Sequence, residues 1–406
     1  MQSTPAKRFH FIDHTRGFII ALVVLQHAVQ AYGTMWGGLW FLKVPDRDSF
    51  HDGIFFFTDN FIMAALFFIS GIFLIPSLVR RGFWNFTLEK IIRLVVPFVF
   101  GILFIVPWLT YPRYTLRAEA PLGLFDYWWQ VYLFDNVRPG GFWFLAFLMG
   151  FTMLAALMHI CLPFMTRWLG CLVTWLVKKP VRGFIIFATM TALIISLSDL
   201  YWGAPWWAGF WKLFYARGNQ FITYIVYFFL GVGVGQADVL NKTDVLEKLA
   251  SNWQKWVLLT LGLAICYIGY CVSYMYEGTF SNDLRSYFEQ GGTWNQAWPL
   301  IADTAPSILI RTILNGLLCA VQTITVIAVF YRFVNTLKPF WVSLAACSYG
   351  IYVFHEPFVV WTQNAFMDYT LPPFIKATLA FIIGLSVAWF LTERVLRRIP
   401  GLKKVF

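Results

Sequence analysis

Charged residues are scarce in this chain: 13% of its 406 residues are Asp, Glu, Lys or Arg, whereas soluble domains have about 25%. Hydrophobic residues make up 59% of the sequence, and the mean hydropathy is +0.65. This composition excludes a soluble globular fold. The net charge of +11 is therefore no evidence for a nucleic-acid partner, and we attribute it to lysines and arginines in cytoplasmic loops.

Cysteine is also rare, and the spacing of the six cysteines matches neither a metal site nor a disulfide framework. We therefore predict no bound metal. Internal repeats and low-complexity tracts are lacking too, which disfavours a transporter built from repeated halves with paired broken helices. We predict a single domain over residues 1–406, in which residues 1–13 and 393–406 are cytoplasmic tails.

Long apolar runs, in contrast, are abundant. Ten of them have about the 20 residues that cross a bilayer, which predicts an all-α polytopic membrane bundle of about ten transmembrane helices. The approximate limits are 14–33, 54–78, 91–111, 142–162, 183–200, 219–237, 256–276, 305–330, 340–363 and 371–392. If both termini are cytoplasmic, most of the 31 lysines and arginines fall on the cytoplasmic side, as the positive-inside rule requires.

The first span contains two polar residues on one face. Arg16 and His27 are separated by eleven residues, which on a helix is about 1100°, or three turns and about 20°. Their side chains should therefore share a face, roughly 16 Å apart along the axis. Polar groups inside an apolar span are costly, so both residues are functional candidates.

Further cations are predicted beside Arg16 at the cytoplasmic face. Lys90 and Arg93 begin the third span, and residues three apart lie on one side of a helix. With Arg16 they would form a cluster suited to binding phosphates. The alternative is that Lys90 and Arg93 only anchor the topology.

Several polar groups are predicted to lie in the outer half of the bundle, where His27 is also expected. His355 and Glu356 end the ninth span, and Asp59 lies in the second. A buried histidine next to a carboxylate can act as a general base, although His355 and Glu356 could merely cap a helix broken by Pro357.

Arg311 is the intramembrane arginine of the eighth span. It could bind the free carboxylate of a succinyl group, or simply pair with Asp59 or Glu356. Two long outer loops, residues 112–141 and 277–304, contain Trp and acidic residues that would suit a glycan. Loops of this length are usually functional or disordered.

Taken in chain order, these motifs resemble those of the acyltransferase family 3 membrane proteins. The relevant elements are an Asp-preceded Arg, ten residues and a His in the first helix, FFISG at 67–71, WFL at 143–145, and SYGIYVFHEP at 348–357. The family's R-x-x-R is present as Lys90-x-x-Arg93, in which Lys keeps the charge but loses the bidentate guanidinium. The tail RRIPGLK at 397–403 resembles the branch that succinylates periplasmic glucans.

The resemblance implies an O-acyltransferase that moves an acetyl or succinyl group from cytoplasmic acyl-CoA to hydroxyls of an extracytoplasmic polysaccharide or glucan. No cofactor would be permanently bound. The protein would lie in a bacterial inner membrane, and its partners would be the bilayer, acyl-CoA, a glycan and a polysaccharide synthase complex. The predicted catalytic residues are His27, Glu356, His355 and Asp59, the donor-binding residues are Arg16, Lys90 and Arg93, and the substrate-binding residues are Trp143, Arg311, Ser70 and Tyr349. The competing interpretation is an exporter of a sugar or lipid-linked glycan.

Overall fold

The computed structural model describes residues 8–34, 40–42, 44–135, 137–202, 207–211, 214–276 and 294–406. Residues 277–293 of the second outer loop and residues 1–7 of the N-terminal tail thus lie outside the described residues. The described chain is helical, as the apolar runs predicted, apart from one short antiparallel hairpin. In it β1 (Trp207–Trp211) pairs with β2 (Phe214–Arg217), with Trp207 opposite Arg217.

The α-helices are α1 (His10–Gln30), α2 (Ser49–Asp59), α3 (Ile62–Ile72), α4 (Leu74–Arg81), α5 (Phe83–Lys90), α6 (Val96–Phe100), α7 (Val106–Thr115), α8 (Leu124–Asp126), α9 (Leu133–Asp135), α10 (Trp143–Cys161), α11 (Pro163–Lys178), α12 (Pro180–Trp202), α13 (Gly218–Gln236), α14 (Thr243–Ser251), α15 (Trp253–Tyr276), α16 (Trp294–Phe333), α17 (Pro339–Ala365) and α18 (Pro373–Phe390). Segments of π-helix occupy Ile91–Val95, Gly101–Ile105, Tyr127–Tyr132 and Leu391–Val395, and 3₁₀ turns occupy Gly140–Phe142, Val239–Asn241, Leu396–Arg398 and Leu402–Lys404.

Seven helical segments of the described chain are long and apolar enough to cross a membrane. They are Ser49–Arg81, Phe83–Thr115, Gly140–Cys161, Pro180–Leu200, Trp253–Ser273, Pro306–Phe333 and Pro373–Arg398. The other three predicted spans lie on α1, α13 and α17. The apolar part of α13 is short (Gln220–Gln236), and α1 and α17 contain the polar residues discussed below. The protein is a multi-pass membrane protein, and the count of ten spans stays a prediction.

Helix α1 lies in the middle of the bundle and packs most extensively against α17, with further contacts to α2, α16 and α18. Gly17 permits the close approach, because a Cβ at this position would lie 3.1 Å from the backbone of Ala345. We call the end of the bundle that holds Arg16 the inner end, and the opposite one the outer end.

The second and ninth predicted spans both contain polar residues, but only the second is interrupted in the structure. The second span is broken between α2 and α3, and Gln322 donates from Nε2 to the carbonyl of Phe57 at 2.9 Å near the break. The ninth span is not broken, because α17 continues through Pro357 to Ala365. The alternative in which His355 and Glu356 cap a helix that ends at Pro357 is therefore wrong.

The first outer loop packs against the π-helical segment Gly101–Ile105 that precedes α7. The hydroxyl of Tyr132 donates to the carbonyl of Ile102 at 2.8 Å, and the indole of Trp128 donates to the carbonyl of Leu103 at 2.7 Å. Burial raises the pKa of Tyr132, so its phenol stays a protonated donor. The loop is therefore a fixed part of the outer surface.

Candidate active site

Three predicted site residues meet where α1 faces α17. His27 Nδ1 lies 3.0 Å from His355 Nε2 and 3.4 Å from Glu356 Oε1. Their side chains are shielded, with 18% of His27 and 6% of Glu356 exposed, while His355 is buried. The structure thus joins one residue of the first span to two residues more than 300 positions away.

Hydrogen bonds determine which nitrogens of the two histidines bear protons. His355 Nδ1 lies 2.9 Å from the carbonyl of Ile351 and 2.8 Å from that of Tyr352. Carbonyls only accept, so Nδ1 of His355 is assigned the proton, and Nε2 of the neutral ring is an acceptor. Nδ1 of His27 then donates to it. Nε2 of His27 is left with its lone pair, which is the form a general base needs.

The same three side chains form a donor set that could be read as a metal site, since their nearest nitrogen and oxygen atoms all lie within 4.8 Å of one another. The ring geometry argues for a shared proton instead. The His27 and His355 centroids are 5.2 Å apart and the ring planes differ by 13°, yet the facing nitrogens are only 3.0 Å apart. These nitrogens therefore point at each other rather than at a common third point, where a cation would lie.

Two further residues hold His27 in place, and the sequence analysis did not select either. The Trp40 ring lies 4.9 Å from the His27 ring, and its indole donates to Gln363 Oε1 at 2.7 Å. Nε2 of Gln363 donates to the carbonyls of His27 and Ala28 at 3.0 and 3.1 Å. Gln363 could have been found, because it follows Glu356 by seven residues and so lies on the same helix face.

Two glycines bring the start of α10 against this cluster. Gly140 has a φ of +51°, which favours glycine over other residues. A Cβ at Gly141 would collide with the Glu356 carboxylate, and the Gly141 carbonyl accepts a hydrogen bond from the Tyr352 hydroxyl at 2.5 Å. The glycine pair before Trp143 therefore serves the close approach of backbone to carboxylate.

Cations gather at the inner end, as predicted. Lys90 lies in the electrostatic fields of Arg93, Arg81 and Arg16, and the Arg16 guanidinium lies 3.5 Å from Asp13. Lys90 also lies 5.3 Å from the ring centroid of Phe86. A π-helical turn begins at Ile91, and such turns often occur at functional sites.

Arg81 is the cation at this end that the sequence analysis missed as a site residue. It forms an ion pair with Glu89, which also lies 3.4 Å from Arg93. Arg81 ends α4 just before Gly82, and Glu89 lies near the end of α5, so their pairing depends on how the two helices fold back on each other. One carboxylate between two guanidiniums leaves the cluster with an excess of positive charge.

Tyr349 lies between the cations and the histidines. Its hydroxyl contacts the carbonyl of Arg93. Because residues seven apart on a helix differ by about 20° in direction and about 10 Å in height, Tyr349 and Glu356 lie on the same face of α17. Tyr352 lies between them on nearly the same face.

Two of the predicted site residues are engaged elsewhere. Asp59 accepts a hydrogen bond from Gln26 Nε2 at 2.7 Å; Gln26 points about 100° away from its neighbour His27. Arg311 lies 2.5 Å from Asp199. The predicted pairing of Arg311 with Asp59 or Glu356 therefore needs correction, because α16 packs against α12.

Ser70 and Trp143 lie apart from the cluster as well. The Ser70 hydroxyl donates to the carbonyl of Leu66 in its own helix at 2.8 Å. The Trp143 ring stacks on Tyr224, with 5.6 Å between ring centroids and 28° between planes. These contacts show both side chains engaged in the packing of their helices.

A model of a known protein family, described as an acyltransferase domain, matches residues 9–393. The matched range includes the inner cations and the histidine cluster. No curated protein and no solved structure gave a significant match to the chain.

Proposed function

We propose that this chain, which belongs to the acyltransferase family 3 of membrane proteins, transfers an acyl group from a cytoplasmic acyl-CoA to a hydroxyl of an extracytoplasmic glycan. The family match supports a membrane acyltransferase. The observation that carries the rest of the proposal is the 3.0 Å contact between His27 Nδ1 and His355 Nε2, which assigns the proton of His27 to Nδ1 and leaves Nε2 as a base on the same helix as Arg16.

Donor binding uses the inner cations. Arg16, Lys90 and Arg93, together with Arg81, would bind the phosphates of coenzyme A through charge-assisted hydrogen bonds. The pantetheine arm would follow the face of α17 that Tyr349 marks. The rise of roughly 16 Å from Arg16 to His27 is of the same order as an extended arm, which would bring the thioester to the histidine.

At the outer end, His27 Nε2 would remove the proton from the acceptor hydroxyl while the oxygen of that hydroxyl attacks the thioester carbonyl. The carbon–sulfur bond then breaks, and the leaving thiolate takes the same proton from Nε2, so protons and electrons balance. His355 and Glu356 accept the hydrogen bond from Nδ1 and stabilise the imidazolium formed between these events. In a two-step variant, Nε2 carries the acyl group transiently before the hydroxyl attacks.

The positive-inside rule supports cytoplasmic termini, and we place the protein in a bacterial inner membrane. The acyl group would be acetyl or succinyl. With Arg311 engaged by Asp199, the structure offers no support for the idea that Arg311 selects succinyl. The acceptor would be a polysaccharide or glucan, delivered by a neighbouring synthase complex.

The test is acyl transfer in sealed membrane vesicles, with radiolabelled acyl-CoA on the cytoplasmic side and glycan on the other. His27→Ala should lower the transfer rate by about 10²- to 10⁴-fold, the contribution of a general base. His159→Ala is the matched control, because His159 contacts Thr166 at 2.9 Å, away from the site. Full transfer by the His27 variant would overturn the proposal.

The same vesicles distinguish the enzyme from an exporter. Label that appears on the glycan with consumption of acyl-CoA supports the acyltransferase. Glycan that crosses the membrane without consumption of the donor supports the exporter.

A further inference from the structure

Three arginines lie together at the outer end of the bundle. Arg113 is near the end of α7, Arg117 follows it by four residues, and Arg138 precedes the Pro139–Gly141 turn. Arg113 lies in the electrostatic fields of the other two. Gly140, two residues after Arg138, packs against Val106 and Leu109 of α7, the helix that holds Arg113.

Among the residues that the structure describes, these arginines form no ion pair, because none of the three has a carboxylate within salt-bridge distance (4.0 Å). The inner cations differ, since Glu89 and Asp13 pair with them. Clustered like charges repel each other, and cations on the outer side run against the positive-inside rule. An anionic ligand would relieve both costs.

Aromatic rings lie beside these arginines. The centroids of Tyr114 and Tyr127 are 4.5 Å apart, and Tyr111 stacks near Trp361 with 6.3 Å between centroids and 26° between planes. The indole of Trp361 donates to the carbonyl of Trp108 at 3.0 Å. Rings with an apolar face and a polar edge suit a ligand that is itself amphipathic, such as a saccharide.

This surface adjoins the histidine cluster along two segments. Arg138 is three residues from Gly141, whose backbone lies against Glu356, and three residues span at most about 10 Å. Trp361 follows Glu356 by five residues on α17, a rise of about 7.5 Å and a rotation of about 140° that turns it toward Trp108 of α7. A saccharide whose acidic group lies at the arginines could therefore present a neighbouring hydroxyl to His27.

We propose that Arg113, Arg117 and Arg138 bind a carboxylate or phosphate of an anionic saccharide and so select acidic glycans as acceptors. Guanidinium groups suit this role because they bind carboxylate and phosphate bidentately. The inference rests on the proposed function, because it concerns the acceptor of that reaction. Binding of the saccharide can nevertheless be measured without the acyl donor.

The experiment measures binding of a galacturonate hexamer to the full chain in phosphatidylcholine nanodiscs, with a neutral galactose hexamer as comparison. The galacturonate hexamer should bind at least tenfold more tightly, and added salt should weaken its binding. The double variant R117Q/R138Q should lose about tenfold in affinity for it. R117K/R138K, which keeps the charge, should retain most of the affinity, and R167Q should be unchanged because Arg167 is an exposed cation on α11 that bonds to the carbonyl of Pro163 in its own helix.

Equal binding of the two hexamers, or unchanged binding by R117Q/R138Q, would overturn the inference. A thermal unfolding midpoint equal to that of the wild type shows that R117Q/R138Q is folded. If R117Q/R138Q is not folded, the binding of R117K/R138K provides a second measurement. Phosphatidylglycerol in the nanodisc should not compete. If it abolishes binding, the arginines bind a lipid headgroup and the acceptor proposal is wrong.

The outcome is separable from that of the acyl-transfer assay. Absence of acyl transfer with intact galacturonate binding would count against the proposed function alone. Transfer to neutral glycans without galacturonate binding would count against the acceptor inference alone.

Discussion

The inner and outer ends of α1 contain polar residues in opposite environments. At the inner end, 42% of the Arg16 side chain is exposed, and its charged neighbours include Asp13 and Arg93. At the outer end, 18% of the His27 side chain is exposed, and it contacts two shielded partners. Under the proposed function, the charge at the inner end would attract a ligand that comes and goes, and the buried hydrogen-bond network at the outer end would keep one tautomer ready for chemistry.

Of the variants that test this difference between the two ends, the largest effect is expected in the hydrogen-bond network around His27. His355→Phe removes the acceptor that keeps the His27 proton on Nδ1, so the basic tautomer is no longer selected. We expect kcat for acyl transfer to fall by about 10²-fold or more, while KM for acyl-CoA stays within twofold. His51→Phe is the control, because His51 is also buried but binds Asp48. A fall in donor affinity instead of kcat would contradict the assignment.

A smaller and different effect is expected at the inner end. Lys90→Gln should raise KM for acyl-CoA by about tenfold, the value of one charge-assisted hydrogen bond, with kcat nearly unchanged. The increase should shrink at high salt, because ions screen exposed charges. Lys90→Arg keeps the charge and serves as control. A Lys90→Gln variant with a lower kcat and an unchanged KM for acyl-CoA would contradict the separate roles of the two ends.

The hydrogen bonds that hold His27 in place should contribute to the free energy of unfolding. Gln363→Leu leaves the Trp40 indole and two carbonyls of α1 without their partner, so we expect a loss of about 1–3 kcal/mol in the free energy of unfolding. Thermal unfolding of the purified protein measures it. Thr378→Val, at an exposed hydroxyl that bonds only within α18, should change stability by less than about 0.5 kcal/mol. Equal changes in both variants would remove the special role of Gln363.

Metal removal should have no effect. Because the facing nitrogens of His27 and His355 share a proton, dialysis of the purified enzyme against a chelator should leave the rate of acyl transfer unchanged. Loss of activity that zinc or manganese restores would show that the three side chains hold a cation instead.

Much of the site could be predicted because helical periodicity relates residues on one helix. The eleven-residue step from Arg16 to His27 places them along one helix, and that helix runs unbroken from His10 to Gln30. The pair of His355 and Glu356 was predicted in the outer half, the half that also holds His27. Gln363 lay within reach of the same reasoning, at seven residues from Glu356.

Contacts between helices could not be predicted in this way. For Arg311 the sequence left open a succinyl carboxylate or a pairing with Asp59 or Glu356, and the partner that the structure shows is Asp199. Pro357 was a potential helix end, but α17 continues past it. Periodicity gives the face on which a side chain lies, and it does not say which helix covers that face.

The sequence by itself determined that the chain lies in a lipid bilayer and that its spanning elements are helices, because apolar runs of this length cross a bilayer as helices. It also determined which residues share a helix face. Only the tertiary structure decided that His27 meets His355, that Gly141 lies against Glu356, and that three arginines gather at the outer end. These contacts depend on the packing of small residues between distant helices, an interaction that no local sequence pattern encodes.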